Sequence, residues 1–429
     1  MKIHFIGIGG IGMSALARYY LNKGFSVSGS DMNDSDLLKD LQTQGAEIYI
    51  GGHVSKNIKN DTDLVIYTAA IEDANPEIIK AKEEKIRCLS YAETLGELSK
   101  NFFTIAISGT HGKTTTTAMI SLILIKAGLD PTVVIGTKVR EFGNSNLRIG
   151  HSKFLVIEAC EYEDSFLNYH PQIGVILNIE EDHLDYFKNF ENIKKSFNKF
   201  ADQSDYLLIT KEFKEIIKED AAVEEREKDI EMLKKILKIP GDFNIKNALC
   251  ALAVARRLNI KDEISFEALS EFAGTWRRFD IDKDSFPFLI INDYAHHPTE
   301  ITATLKGARE KFPEKKITCV YQPHQYERTF SLKDEFVKAF QYSLDEKWIN
   351  ELILYPIYTV PGRESSEVMK KIDSKKLNRI INRENSSYFE TFEEIGEKCK
   401  TLGKNDILII MGAGNIYNLY DFLKKTLSF

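Results

Sequence analysis

Three things are scarce in this 429-residue chain, and each scarcity excludes something. No run approaches about 18 consecutive apolar residues, so no membrane span is expected. Cysteine is rare: Cys88, Cys160, Cys250, Cys319 and Cys399 are scattered, odd in number, and form no CxxC pair. That speaks against a disulfide framework and fits reduced, mostly buried thiols in a cytoplasm. A basic excess is also missing. The formal net charge is −7, the wrong sign for a general nucleic-acid binder, although it leaves room for a local cationic pocket around phosphates. The amino-terminal MKIHFIGIGGIG lacks the apolar core and cleavage site of a signal peptide. The expectation is a cytoplasmic protein with no nucleic-acid partner and no membrane span.

What the chain does contain is a long alternation of short apolar runs and amphipathic segments. KIHFIGI, LVIYTA, FFTIAIS, KFLVIEA, IGVILNI, YLLIT, FLIINDY, ITCVYQ, LILYP and DILIIMG read as buried strands. The helical patterns between them make parallel α/β sheets the expected fold class. At about 150 residues per domain, three domains are the central expectation. Seams near Ser99–Phe102 and Gly274–Arg278 divide the chain into 1–98, 99–274 and 275–429. From Lys211 to Lys238 both charge signs are dense and interleaved at helical spacing, which reads as a solvated helix or two rather than a binding tail.

Gly7, Gly9, Gly10 and Gly12 follow the first strand in FIGIGGIGMSALA and match GxGxxG between strand and helix. Glycine lets the backbone approach a diphosphate, and the helix start offers it unpaired N–H groups. A second strand, FSVSGSD, ends at Asp31, where the ribose-binding acid of a dinucleotide fold would sit. This segment alone leaves NAD, another diphosphate, or a bare turn open.

The stretch AISGTHGKTTTT raises a narrower question. A P-loop has glycine, four residues, then Gly-Lys-Ser/Thr, yet the position that should be the first glycine is Ile107. Strand, glycine loop and helix nevertheless follow in the required order. Backbone amides of Gly109, Thr110, His111 and Gly112 would cradle phosphates. Lys113 would neutralise the β- and γ-phosphates, and the Thr114 hydroxyl, with Thr115 beside it, would meet Mg²⁺. Mg²⁺ takes hard oxygen ligands. Candidates follow two later strands: Glu158 with Glu161, Glu163 and Asp164 in EACEYEDSF, and Glu180, Asp182, His183 and Asp185 in LNIEEDHLDYF.

Taken together, HFIGIGGIGMSALA, SGTHGKTTT, EACEYEDSFL, LNIEEDHLDYF, GDFNIKNALCALAVA, RRFD, DYAHHPTEI, YQPHQYERT and MGAGN resemble, in order and end to end, the Mur ligase family. The resemblance implies a Rossmann-like amino-terminal domain for a UDP-sugar and a central P-loop ATPase domain with a parallel sheet. A carboxy-terminal Rossmann-like α/β domain would close over ATP and an amino acid. It implies that Gly7–Gly12 hold a UDP diphosphate rather than NAD. Asp31, His53, Thr68 and Ala70 would line the uridine end. Glu158 and His183 would join Thr114 at Mg²⁺, His183 at a second metal. Asn247, Arg278 and Asp293 would meet the adenine, phosphate and ribose of ATP. Tyr294, His296, His324 and Arg328 would sit near the amino acid.

The branch resembled most joins L-alanine to the carboxylate of UDP-N-acetylmuramate in peptidoglycan synthesis, as a monomer or weak homodimer. Lys113, Glu158, His183, His296 and Arg328 would carry the reaction: ATP converts the carboxylate to an acyl phosphate, and the amine then displaces phosphate. Two departures stand out. Gly241-Asp242-Phe243-Asn244 has Phe243 where the family has His, so a contact near the adenine is lost or replaced by stacking. The stretch 205–240 is also shorter than usual. Three alternatives remain open at this point: a recycling ligase that adds a preformed tripeptide, an inactive nucleotide sensor, and an NAD-dependent dehydrogenase.

Overall fold

The structure is a computed structural model that describes residues 1–217, 223–360 and 364–427, the side chain of Asp185 excepted. It contains three α/β sheets. The first has strands β1 (Lys2–Ile6), β2 (Ser26–Asp31), β3 (Glu47–Ile50), β4 (Leu64–Tyr67) and β5 (Arg87–Ser90), all parallel, in the order β3-β2-β1-β4-β5. The order reverses between β1 and β4, and a crevice at such a point takes ligands at the strands' carboxyl ends. The loop Gly7–Gly10 leaves β1 at that crevice.

The second sheet has β6 (Phe103–Ser108), β7 (Thr132–Val139), β8 (Ser145–Arg148), β9 (Phe154–Glu158), β10 (Ile173–Ile176) and β11 (Leu207–Ile209). Their order is β11-β10-β6-β9-β7-β8, parallel except for β8 against β7. The strand that carries the P-loop, β6, therefore lies between the strands that carry Glu158 and lead to His183. The third sheet has β12 (Asp280–Asp282), β13 (Leu289–Asp293), β14 (Lys316–Tyr321), β15 (Glu351–Leu354), β16 (Ser386–Tyr388) and β17 (Asp406–Met411). It runs β12-β13-β17-β14-β15-β16, and only β12 is antiparallel.

Two compact units result: Met1–Ile236 with Lys246–Phe272, and Leu237–Ile245 with Ala273–Phe429. The first unit contains the first two sheets, which share one apolar core from Phe5 and Leu16 to Leu155, Phe166 and Phe197. The second packs its sheet between two layers, one around Ile291, Tyr321 and Phe340 and one around Ile290, Val320 and Leu408. Successive residues of β13, β14 and β17 thus bury opposite faces, as expected for parallel strands covered on both sides. The segment Leu237–Ile245 joins this unit through Lys311 Nζ, which donates to the Lys238 carbonyl at 2.8 Å.

Residues 218–222 of the charge-dense stretch lie outside the described residues; beyond them the helix Glu227–Ile236 forms, as the charge spacing implies. Among the described residues from 211 to 240 no strand is present. Among the described residues no helix is long and apolar enough to cross a membrane.

Candidate functional site

The helix Lys113–Lys126 opens on four threonines, weak helix formers. Tertiary structure overrides that propensity: Thr114–Thr117 are buried, and Met119, Ile120, Ile123 and Leu124 beyond them are fully so. The helix starts at Gly112 in the left-handed region (φ +83°), and a Cβ there would lie 2.5 Å from Asn247 Oδ1. Both the conformation and the close approach require glycine. Ile107 is the buried end of β6 and not part of the loop.

Asn178, just beyond β10, fixes the loop from the other side. It accepts the His111 N–H on Oδ1 (2.7 Å) and donates to the His111 carbonyl (3.0 Å). Thr110 Oγ1 accepts the Glu180 N–H at 2.9 Å, and His111 Nε2 lies 3.3 Å from Glu180 Oε2.

Lys113 is held in place by oxygens. Its Nζ donates to the carbonyls of Gly109 (2.5 Å) and Thr110 (3.2 Å) and pairs with Glu161 Oε2 at 3.0 Å. Burial pulls the ammonium's pKa down, but the Glu161 carboxylate, with Cys160 and Glu158 nearby, outweighs this and raises it. The side chain is therefore a full cation aimed at a nest of acceptors, as a phosphate-binding lysine needs to be.

Thr114 Oγ1 donates to Glu158 Oε2 at 3.0 Å, and Glu158 Oε1 accepts the Gly136 N–H at 2.6 Å. Thr114 and Glu158 thus offer two hard oxygens at the head of the phosphate loop, a donor set that fits Mg²⁺. His183 begins the helix Leu184–Phe187 with left-handed backbone (φ 53°), and its ring packs on Tyr162 at 4.7 Å. Imidazole is a softer donor than Mg²⁺ usually takes. Asp164 is occupied elsewhere, accepting the hydroxyls of Tyr186 (2.9 Å) and Ser196.

In the first sheet, Gly7 has φ +80°, and a Cβ there would meet the Thr68 methyl at 2.6 Å. Gly9 donates its N–H to Asp31 Oδ2 at 2.9 Å, so Asp31 braces the loop itself. Gly10 caps the helix Ile11–Asn22 with no side-chain partner, which leaves N–H groups of the first turn for a ligand. A Cβ on Gly12 would strike the Tyr91 ring. Thr68 is half-buried, and Ala70 is exposed.

His53 faces inward. Its Nδ1 is 2.9 Å from Ser30 Oγ and 3.4 Å from Glu77 Oε2. Glu77 is a fully buried carboxylate absent from the sequence reading. Burial pushes its pKa up, but the His4 ring beside it and the hydrogen bonds from Ser30 and Asn57 outweigh this and hold it below its usual range.

In the second unit, β13 ends at Asp293. Its carboxylate accepts N–H groups of Phe279 (2.7 Å) and Ala295 (2.8 Å), and burial, opposed by Arg278, pushes its pKa up to about 6. The two arginines of RRFD have different tasks. Arg277 is buried, donating to the carbonyls of Gly412 and Gly414 under the rings of Trp276, Tyr294 and Tyr417. It clamps the MGAGN turn. Arg278 is more open, lying over the Tyr294 ring at 4.8 Å and 3.7 Å from Glu300.

The expected amino-acid residues form one continuous group. Tyr294 meets His296 edge-on (5.4 Å), His296 meets His324 (6.0 Å), and Arg328 Nη1 is 3.3 Å from His324 Nδ1. Tyr358, which the motifs did not reveal, stacks on His324 at 5.4 Å. His297 is buried and caps the helix Pro298–Lys311 in a capping box with Glu300, a structural task. Phe243 folds over Gly241, where a Cβ would lie 2.5 Å from its ring. Asn247 is buried beside Gly112, in the first unit.

Residues 2–103 match the Mur ligase family catalytic domain, 107–228 the Mur ligase middle domain, and 277–414 the Mur ligase glutamate ligase domain. The chain is 41% identical over 451 residues to the UDP-N-acetylmuramate–L-alanine ligase of Clostridium novyi, covering 97% of this chain and 96% of the relative. It is 42% identical over 461 residues to that of Clostridium acetobutylicum, covering 99% and 98%. The fold is similar to the crystal structure of a UDP-N-acetylmuramate-alanine ligase from Thermotoga maritima, with a TM-score of 0.81, 27% identity, and 100% and 99% of the two chains covered. A murein peptide ligase from Psychrobacter arcticus shares the fold, with a TM-score of 0.73 and 24% identity over 100% and 98% of the chains. Three consecutive domain matches and relatives above 40% identity over nearly the whole length make this chain a member of the Mur ligase family.

Proposed function

We propose that the chain is an ATP-dependent ligase that joins L-alanine to the carboxylate of UDP-N-acetylmuramate, an early step of peptidoglycan precursor synthesis. One observation carries this reading. A complete phosphate-loop constellation, Lys113 held by Glu161 and Thr114 bonded to Glu158, occurs in a chain that matches L-alanine ligases from end to end. Those matches favour a single amino acid over a preformed tripeptide. The intact loop speaks against an inactive sensor, and the second and third sheets speak against a dehydrogenase.

A carboxylate is a poor electrophile, so it must first be activated. One carboxylate oxygen attacks the γ-phosphorus of ATP, ADP leaves, and an acyl phosphate forms. The amine of L-alanine attacks the acyl carbon, loses a proton, and phosphate departs with the former carboxylate oxygen. Positioning and charge stabilisation dominate such a transfer. Lys113, released from Glu161, would bind the β- and γ-phosphates, with the amides of Gly109–Gly112 around them. Thr114 and Glu158 would hold Mg²⁺, with His183 at a second position; the ion would supply further neutralisation of phosphate charge.

Segment 1–98 would bind the UDP-sugar through Gly7, Gly9, Gly10, Gly12, Asp31, His53, Thr68 and Ala70. Segment 99–274 would bind ATP, including Asn247. Segment 275–429 would contribute Arg278 and Asp293 towards ATP, and Tyr294, His296, His324 and Arg328 towards the amino acid. Arginine is the natural fork for its carboxylate. His183, His296 and water are the candidates for accepting the amine proton. A cytoplasmic location belongs to the same reading, since both nucleotides are used there.

The test is phosphate release by the purified chain with UDP-N-acetylmuramate, ATP and Mg²⁺. L-alanine should stimulate release well above glycine, L-serine or a tripeptide. Stimulation by the tripeptide alone would transfer the assignment to the recycling reaction, and stimulation by none would refute the ligase.

A further inference from the structure

The first unit contains a polar knot whose buried carboxylate the reaction above does not use. Glu77 is the second residue of the helix Pro76–Glu83 and is fully buried. Its neighbours Ile6, Ile58, Val65, Ile78 and Ala81 form an apolar cluster. Within that layer Glu77 Oε1 accepts Asn57 Nδ2 at 2.5 Å, and Oε2 accepts the Ser30 hydroxyl at 2.6 Å. Two histidines flank it: His53 Nδ1 at 3.4 Å and His4 Nε2 at 3.7 Å from Oε2. His4 Nδ1 in turn is 2.9 Å from Ser28 Oγ. The register explains the gathering, because His4 pairs with Ser28, and Ser28 and Ser30 fall on one face of the sheet.

Burying a carboxylate costs several kcal/mol unless hydrogen bonds compensate it, and an apolar residue at position 77 would spare that cost. The knot is therefore an expense that packing does not explain. Counting protons shows what it does. An ionised Glu77 only accepts, so the Ser30 hydroxyl hydrogen is committed to it. Ser30 Oγ, having given its one hydrogen, can only accept from His53. In the neutral ring the His53 proton must therefore sit on Nδ1, which leaves Nε2 as the unprotonated atom the ring presents away from the knot.

We propose that Glu77 is a positioning residue for UDP-sugar binding: acting through Ser30, it fixes the tautomer and orientation of His53, so that Nε2 meets the substrate as an acceptor. The substrate group that fits is a hydroxyl or N–H donor of the nucleoside or sugar, not a phosphate oxygen, which donates nothing. This inference rests on the reading of the amino-terminal segment as the UDP-sugar site. Asn57, from the turn Ser55–Asn57, completes the device by occupying the carboxylate's other oxygen.

The test compares the full chain with Glu77→Gln and Ser30→Ala. Two-bond ¹⁵N–¹H spectra of the free protein read the His53 tautomer, and steady-state kinetics read the KM for UDP-N-acetylmuramate. The wild type should show the Nδ1–H tautomer. Glu77→Gln should shift it towards Nε2–H, whereas Ser30→Ala leaves Nδ1 facing the Glu77 carboxylate at 3.4 Å and should keep the tautomer but loosen the ring. Both should raise that KM about tenfold, the loss of about one good hydrogen bond. The kcat and the KM for ATP should stay near wild type, and the double variant should add little to either single one. Ser30→Ala keeps the test decisive if Glu77→Gln folds poorly. An unchanged tautomer in Glu77→Gln, or an unchanged KM in either variant, overturns the inference while leaving the ligase intact. A wild type that shows the Nδ1–H tautomer but binds no UDP-N-acetylmuramate refutes the ligase reading instead.

Discussion

Glu161 pairs with Lys113 in the free protein, and replacing it by glutamine tests whether that carboxylate holds the place a phosphate oxygen would take. Glu161 Oε2 lies 3.0 Å from Lys113 Nζ, and the two side chains are 4% and 17% exposed. At an effective dielectric of about 20, a pair at that distance attracts by roughly 5 kcal/mol before desolvation is counted. Breaking a buried pair costs about 3–5 kcal/mol in practice. Glutamine keeps the shape and one acceptor, so Glu161→Gln should lie near the lower bound, about 3 kcal/mol. In a unit of this size that lowers Tm by roughly 6–12 °C.

The nucleotide complex should behave differently. If the phosphates take over Lys113, the complex loses little, and the stabilisation from Mg²⁺ and a non-hydrolysable ATP analogue should be larger in the variant by about the same 3 kcal/mol. Thermal unfolding with and without the analogue measures both quantities. A variant that is destabilised equally in the free and bound states would refute the reasoning, because Lys113 would then keep its partner when nucleotide is bound.

Three further outcomes follow from the same geometry. Gly112→Ala forces an L-residue into a left-handed conformation, at about 1–2 kcal/mol, and drives its Cβ onto Asn247 Oδ1; calorimetry should show nucleotide binding lost and UDP-sugar binding kept. Glu77 has a folded-state pKa below its usual 4.5, so its contribution to stability is complete above that value and is lost as pH falls through the folded one. The gap in urea midpoint between wild type and Glu77→Gln should accordingly be widest near pH 7 and shrink as the pH falls below 4.5. Arg277→Ala should destabilise the second unit by about 2–4 kcal/mol, since it leaves the carbonyls of Gly412 and Gly414 without their buried donor. Lysine at that position should restore little, because it lacks the planar fork.

The strands that the sequence made legible are those buried on both faces. β1, β4, β6, β9, β10, β11, β13, β14, β15 and β17 each appear as a short apolar run. The edge strands β8, β12 and β16 are short and polar (SNLR, DID and SSY) and carry no such signal, while β3, EIYI, is short and only half-buried. β7 was obscured for a different reason. Its run TVVIGTKV is interrupted by Gly136, whose Cβ would lie 3.1 Å from Glu158, so the residue that breaks the pattern is the one that makes room for the carboxylate.

Lys113, Thr114 and Glu158 were legible because loop and strand end are local features. Their partners were not. Glu161 was one of several acids in EYED, and only the fold aims it at Lys113. Asn178 looked like one more residue at a strand end. Glu77 resembles an ordinary acid at a helix start. The available signal lay elsewhere: His4 in KIHFI and Ser30 in SVSGSD are polar residues at core positions of two strands.

The central claim is that ATP activates the substrate carboxylate. It is tested most directly with UDP-N-acetylmuramate carrying ¹⁸O in both carboxylate oxygens, L-alanine, unlabelled ATP and Mg²⁺. Mass spectrometry of the phosphate released in each turnover should find one ¹⁸O, with the other retained in the amide product. Phosphate free of label, released in step with amide formation, would contradict the account, because the carboxylate would never have been bonded to phosphorus.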